Sequence, residues 1–119
     1  RPGVPGLSEN IRVRSIIGRF LEHTRIFYFR NDLKHDVHLA SADWMDRNFF
    51  RRIEVCFPVL DNKLKKRVID EGLKVYLQDN CQAWEMDGEG QYRHRQSRRA
   101  VQKCAQSELL QQLAGTTKA

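Results

Sequence analysis

Two apolar runs around a polar break limit the folds open to this 119-residue chain. Ile26, Phe27, Tyr28 and Phe29 form an aromatic and β-branched run of the kind that prefers a pleated sheet. Asn31 and Asp32 interrupt it, and Val37 to Ser41 reads as a returning strand. The pair predicts a hairpin with a long turn. At this length the hairpin must share one modest core with whatever flanks it. No apolar run approaches the roughly 18 residues that a membrane-spanning helix needs.

The flanking segments read as a mixture of strands and helices. Pro2 to Gly6 has the composition of a linker or turn, and residues 1–10 are expected to be an entry segment. Ile11 and Val13 alternate with Arg12 and Arg14, which predicts a short strand with one wet face. Ser15 then suits the cap of a helix with Ile16, Ile17, Phe20 and Leu21 inward, ending near His23. Residues 41–48 fit neither period and are expected to be a structured loop. Arg52 to Phe57 alternates again, with Ile53, Val55 and Phe57 on one face, and Pro58 closes the run. Asp61 is a good N-cap for a long helix to about Leu77, striped by Leu64, Val68, Ile69, Leu73, Tyr76 and Leu77. Gly72 within it costs roughly 1 kcal/mol relative to Ala. Cys81 to Met86 predicts a strand and residues 87–90 a turn. A last helix is expected with Val101, Cys104, Ala105, Leu109 and Leu113 inward, stopped by Gly115. The expected class is α/β, or α+β, with a small mixed sheet flanked by helices in one domain over residues 11–115, followed by a tail at 116–119.

Charge and cysteine usage narrow the partners. There are 21 Lys+Arg against 15 Asp+Glu, a net charge of +6, which favours an anionic partner. Arg holds phosphate oxygens through two parallel hydrogen bonds where Lys offers a point charge, so an Arg-rich set leans toward placed phosphate contacts. Cys56, Cys81 and Cys104 show no C-x-x-C spacing and read as free thiols suited to a reducing cytoplasm. The chain opens on Arg1 rather than Met, as expected of a piece of a longer protein.

The residues most suited to chemistry are His23-Thr24-Arg25 and, one hairpin later, Ser41-Ala42-Asp43. Residues two apart in a strand share a face, so His23 and Arg25 project together. A neutral imidazole can take a phosphoryl group or pass a proton, and a guanidinium beside it can hold phosphate oxygens. Taken alone H-x-R also fits a surface histidine at a helix end. His35 is expected in an exposed turn and His38 on the polar side of its strand. No carboxylate spacing makes a metal site of them with His23. Trp44 and Met45 suit core plugs better than base-stacking groups. Arg47, Arg51 and Arg52 form a second basic cluster, either a polyanion track or ion-pair partners for Asp43, Asp46 and Glu54. Arg93, Arg95, Arg98, Arg99 and Lys103 make a third. Gly-rich phosphate loops are absent.

Read as longer strings, IIGRFLEHTRIFYF at 16–29, SADWMDRN at 41–48 and RRIEVCFP at 51–58 closely resemble the C-terminal domain of bacterial polyphosphate kinase of the long-chain-synthesising type. GVPGLSENIRVRS at 3–15, AWEMDGEGQY at 83–92 and the Ala105-Gln106 pair are similar to that family too. The resemblance implies a phospholipase-D-like fold and reversible transfer of the terminal phosphate of ATP to inorganic polyphosphate, with magnesium (Mg2+). The family's halves carry versions of H-x-K and G-S-x-N. His23-Thr24-Arg25 and Ser41-Ala42-Asp43 stand at those positions, with Arg for Lys and Asp for Asn.

By the same resemblance, the autophosphorylated His lies in a preceding domain. His23 is the catalytic partner near the nucleotide, acting in acid–base or phosphate contact. Arg25, Ser41, Asp43, Arg47, Asn48, Arg51 and Arg52 join it as ATP- and phosphate-binding residues. Phe50 departs from the family pattern, which has an acidic residue there. Expected partners are ATP and ADP, inorganic polyphosphate, the preceding domains, and further copies in a homo-oligomer of the full-length protein, with no specific nucleic acid. The expected location is the bacterial cytoplasm, at or near the inner membrane. Competing classes are a phospholipase-D-like phosphodiesterase or nuclease, which Arg25 and the single H-x-R copy disfavour, and a non-catalytic polyanion binder. The chain alone is expected to fold but to show little or no kinase activity.

Overall fold

In chain order the elements are β1 (Val13–Ile16), β2 (Ile26–Asn31), β3 (Lys34–Ala40), α1 (Asp46–Arg51), β4 (Cys56–Pro58), α2 (Asn62–Ile69), a π-helical turn (Asp70–Lys74), α3 (Val75–Gln78), β5 (Ala83–Met86), β6 (Tyr92–His94) and α4 (Ala105–Gly115). The structure is a computed structural model and describes residues 1–95 and 101–115. Arg98, Arg99 and the tail at 116–119 lie outside the described residues. The class is mixed α/β as expected. In place of one mixed sheet there are two antiparallel three-stranded sheets, ordered β1-β5-β6 and β2-β3-β4. Two compact units emerge, residues 22–74 and residues 1–21 with 75–119.

The unit of residues 22–74 is built on the predicted hairpin. Ile26 faces Leu39 and Asn31 faces Lys34 across it. The turn is tight rather than long: only Asp32 and Leu33 separate the strands, both at positive φ (44° and 67°). That is the geometry of a two-residue turn whose twist matches the strands it joins. β4 adds to the other edge of β3, with Leu39 opposite Phe57. It is shorter than the alternation over 52–57 suggests, and Ile53 is fully exposed. Val37 and Val59 form the buried apolar centre, joined by a backbone bond from Val59 N to Val37 O of 2.8 Å.

The predicted long helix is present, starting at Asn62. Asp61 caps it, its Oδ1 accepting from Leu64 N at 2.8 Å, which satisfies one of the orphan N–H groups of the first turn. Lys66 and Lys74 both pair with Asp70, and Arg67 grips Glu71 at 2.8 Å. Gly72 falls in the π-turn for a steric reason. A Cβ there would stand 2.3 Å from Ile26 Cδ1 on β2.

In the other unit the helix expected after Ser15 does not form. Ser15 and Ile16 continue β1 opposite Trp84 and Ala83, and Ile17 N donates to Gln82 O at 3.0 Å. Both backbone groups of Phe20 are then taken by the Gln106 amide: Phe20 N donates to Oε1 at 3.0 Å and Nε2 donates to Phe20 O at 2.8 Å. Sheet pairing and this side-chain clamp override a helical pattern that Gly18 already weakens. β6 lies where the sequence showed only the start of a basic stretch. α4 begins at Ala105, so Val101 is 83 % exposed rather than inward.

A fully buried Asp79 organises this unit. Its carboxylate accepts from Cys81 N, Gln82 N and Ala105 N at 2.9, 2.7 and 2.8 Å. Burial pushes its pKa up, but these backbone donors outweigh burial and hold it below the ordinary carboxylate value. The same junction carries a Cys81–Cys104 disulfide, which corrects the reading of three free thiols; Cys56 alone is free, and it is exposed. The sequence could not show this because the two cysteines approach only once β5 and α4 are in place. No helix among the described residues is long and apolar enough to cross a membrane.

Candidate functional site

Arg25 sits just before β2 and extends its ladder, its carbonyl accepting from Ala40 N at 3.0 Å. That pairing sets the end of β3 beside Arg25 and delivers Asp43 to it. Arg25 Nε donates to Asp43 Oδ1 at 2.7 Å, and Nη1 donates to the His23 carbonyl at 3.0 Å. Two of the three residues of H-x-R are thereby tied together, and the second motif is tied to Arg25. The Arg25 hydrogen bond holds the Asp43 carboxyl below its ordinary pKa against the opposing effect of desolvation. Arg47 and His23 add weaker electrostatic support. His23 is itself exposed, and its charge reaches Asp43.

Ser41 takes a different partner. Its hydroxyl donates to Glu54 and accepts from Val55 N at 3.0 Å, so its hydrogen-bonding capacity is already engaged within the chain. Asn48 is buried in α1, 4 % exposed, and its Nδ2 donates to Glu54 Oε1 at 2.7 Å. Glu54 therefore joins the end of β3 to α1. Hydrogen bonds from Ser41 and Asn48 hold its carboxyl below the ordinary value, with Arg52 and Arg25 contributing at longer range against desolvation. The sequence reading had Glu54 only as a possible partner of arginines; the signal it carried was its place between two arginines and a strand.

Arg47, Arg51 and Arg52 are all exposed. Among the described residues none of them forms a salt bridge with Asp43, Asp46 or Glu54. Phe50, between them on α1, is 80 % exposed and offers no charge. The structure thus brings His23, Arg25 and Asp43 into one cluster and Ser41, Asn48 and Glu54 into its neighbour. Three guanidinium groups stay open to solvent beside them.

Other histidine and aromatic expectations change. His35 lies within β3, its Nδ1 2.6 Å from the Tyr28 hydroxyl. His38 is half-buried rather than on a wet face, edge-on to Phe29 with ring centroids 6.3 Å apart. Trp44 and Met45 are not core plugs: they are 78 % and 44 % exposed, and the indole stacks on Phe27.

Comparison with known proteins agrees with the sequence motifs. Residues 1–106 match the family model described as polyphosphate kinase C-terminal domain 2. A polyphosphate kinase of Burkholderia lata is 62 % identical over 101 residues, covering 85 % of this chain and 15 % of that protein. A polyphosphate kinase of Paraburkholderia phytofirmans is 64 % identical over 95 residues, covering 80 % of this chain and 14 % of its own. The chain thus spans about a seventh of the length of these relatives. The crystal structure of polyphosphate kinase from Porphyromonas gingivalis superposes with a TM-score of 0.85 at 37 % identity, over 95 % of this chain and 18 % of that one. The mixed α/β architecture is consistent with the phospholipase-D-like fold that the resemblance implies. With a family model matched over residues 1–106 and relatives above 60 % identity, the chain belongs to the polyphosphate kinase C-terminal domain 2 family.

Proposed function

We propose that this chain supplies one half of an ATP–polyphosphate phosphotransferase site. There the terminal phosphate of ATP passes reversibly to inorganic polyphosphate. The observation that carries the reading is the Arg25 guanidinium, pinned to Asp43 at 2.7 Å and to the His23 carbonyl at 3.0 Å. A guanidinium fixed in this way keeps its Nη2 hydrogens for a phosphate oxygen and loses little freedom when it binds one. Phosphoryl transfer depends mainly on positioning and on positive charge around the transferred group. Arg25 supplies the fixed charge, and Arg47, Arg51 and Arg52 supply a mobile one for the polyphosphate chain. The His23 imidazolium gives its proton to the departing phosphate oxygen and recovers it in the reverse direction. Asp43 positions Arg25 beside His23. Ser41 and Asn48 hold Glu54 and so set the entry to α1.

Magnesium does not fit a site made by this chain alone. Among the described residues no three His, Cys, Asp or Glu side chains gather as ligands. Asp43 is committed to Arg25, and Glu54 to Ser41 and Asn48. The ion belongs with the phosphates of ATP, which it commonly accompanies with only one or two protein carboxylates. The remaining participants are the preceding domains of a longer kinase, with the phosphorylated His among them, and its homo-oligomer in the bacterial cytoplasm or at the inner-membrane face.

The test is a graft of this chain in place of the matching segment of the Burkholderia lata protein. The graft is expected to make polyphosphate from ATP, and this chain alone is not. In the graft, His23→Gln is expected to lower synthesis by about 10²- to 10⁴-fold. Arg25→Gln should lower both directions of the reaction. Undiminished synthesis in both variants, or robust synthesis by the chain alone, overturns the reading.

A further inference from the structure

We propose that thiol–disulfide exchange at Cys81–Cys104 sets how firmly the chain is held on its way into His23; the effect on turnover rests on His23 acting in phosphate transfer. The two cysteines stand at the roots of two separate grips on residues 17–20. Gln82 follows Cys81, and its carbonyl accepts from Ile17 N at 3.0 Å. Gln106 lies shortly after Cys104, and its amide takes both backbone groups of Phe20, at 3.0 and 2.8 Å. Gly18 fits closely between the two glutamines. A Cβ there would meet Gln106 Oε1 at 2.3 Å and Gln82 Oε1 at 2.9 Å. The disulfide joins the two grips covalently across a sequence separation of 23.

The strip matters because of what it leads into. Only residues 21–24 separate the Phe20 clamp from Arg25, whose carbonyl accepts from Ala40 N at 3.0 Å. His23 lies within that short span, so its freedom follows the firmness of the two ends. A misplacement of about 1 Å in a reacting group can cost about 10²-fold in rate. Without the cross-link the grips are still joined by Asp79, whose carboxylate accepts from Cys81 N, Gln82 N and Ala105 N. Hydrogen bonds open in local fluctuations where a covalent bond does not, so reduction weakens the latch without unfolding the unit. Both cysteines are half-buried, within reach of a small dithiol. Its thiolate attacks one sulfur, and the other leaves as a thiolate and takes up a proton. The second thiol of the reductant then resolves the mixed disulfide. Two electrons pass in all: the chain gains two thiols and the dithiol becomes a disulfide. Gln106 is on this account a positioning residue, acting on His23 through the backbone of Phe20.

Amide hydrogen exchange in the chain, oxidised or reduced with dithiothreitol, tests the latch. Reduction is expected to speed exchange at Phe20 N–H about ten- to hundred-fold. Val59 N–H, bonded to Val37 O in the other unit, is expected to be unchanged. In Gln106→Ala, Phe20 is expected to exchange fast in both states. One thiol before reduction and three after would show that the disulfide still forms in that variant. In the Burkholderia graft, the oxidised protein is expected to make polyphosphate about ten-fold faster than the reduced protein, through kcat with little change in KM. Cys104→Ser is expected to hold the graft at the reduced rate in either buffer. Exchange at Phe20 that ignores reduction overturns the proposal, and so does equal acceleration at Phe20 and Val59, which is general loosening. Redox-sensitive exchange at Phe20 with the same graft turnover in both states overturns the effect on His23. A graft inactive in both states, with Phe20 still redox-sensitive, sinks the phosphotransfer reading and leaves the latch standing.

Discussion

Arg25 Nε lies 2.7 Å from Asp43 Oδ1, so a residue before the first strand of the hairpin and one after the second are locked together. The lock has a pH signature. The Asp43 carboxyl is held below its ordinary value of 3.8, first by the Arg25 hydrogen bond. A carboxyl whose folded pKa is depressed stabilises the fold above its unfolded pKa and loses that contribution as pH falls through the folded pKa. Stability of the chain is therefore expected to decline across the acid range, with a step that is missing in Asp43→Asn. Following the Asp43 carboxyl carbon by NMR while lowering the pH checks this directly. Titration at 3.8 would mean that the pair does not form in solution.

A second expectation concerns the segment after β1. A Cβ on Gly18 would stand 2.3 Å from Gln106 Oε1, the same oxygen that accepts from Phe20 N. Gly18→Ala is expected to push the Gln106 amide off Phe20 and cost about 1–3 kcal/mol, although Ala is the better former of ordinary helix. Gln106→Ala should cost a similar amount, and the double variant less than the sum, since both act on one clamp. Urea unfolding of the three variants measures it; strict additivity would show that the two residues do not share a contact.

That clamp also shows where the sequence stopped being readable. The hairpin, the Asp61 cap and the turn at 87–90 depend on residues close in sequence, and each is present, the hairpin with a shorter turn than local pattern placed there. Residues 16–21 carry a helical pattern, but their backbone is claimed by Gln82 and Gln106, more than sixty positions away. Asp79 escaped notice, and Glu54 was named only as a partner for arginines, for a related reason. Such carboxylates draw their partners from the folded backbone or from side chains that no short motif brings together. At the candidate site the motifs named Arg25 and Asp43, and their contact is present. The same reasoning did not separate Ser41 and Asn48, bonded to Glu54, from the residues beside His23.

The Cys81–Cys104 disulfide predicts a thiol count. The oxidised chain is expected to present one thiol to Ellman's reagent, from Cys56, and three after reduction. A cross-link spanning 23 residues stabilises a chain by about 3 kcal/mol through the unfolded state. The urea midpoint should therefore fall on reduction. In a reducing cytoplasm the bond is disfavoured, so protein isolated under thiol-blocking conditions tells which form the cell holds. Three reactive thiols in the native chain, before any reductant, would contradict the pairing.

The unpaired arginines of α1 and its C-terminal flank separate a catalytic half-site from a simple polyanion binder. Arg47, Arg51 and Arg52 are exposed, and with Phe50 among them no carboxylate at that position quenches their charge. Binding of inorganic polyphosphate by this chain should weaken with salt, because each neutralised phosphate releases a counterion. In Arg51→Gln/Arg52→Gln the slope of log K against log salt is expected to be shallower by about 0.7 per arginine removed, as for a single-stranded polyanion. His23→Ala should leave that slope nearly unchanged, since one exposed ring adds little to the field of three guanidinium groups. In the Burkholderia graft the same His23 change should nevertheless abolish most phosphate transfer. Binding and turnover then respond to different residues. If removing the arginines leaves the salt slope intact, the polyphosphate track does not run along α1. If His23→Ala costs binding as much as turnover, His23 is a phosphate contact rather than a proton donor.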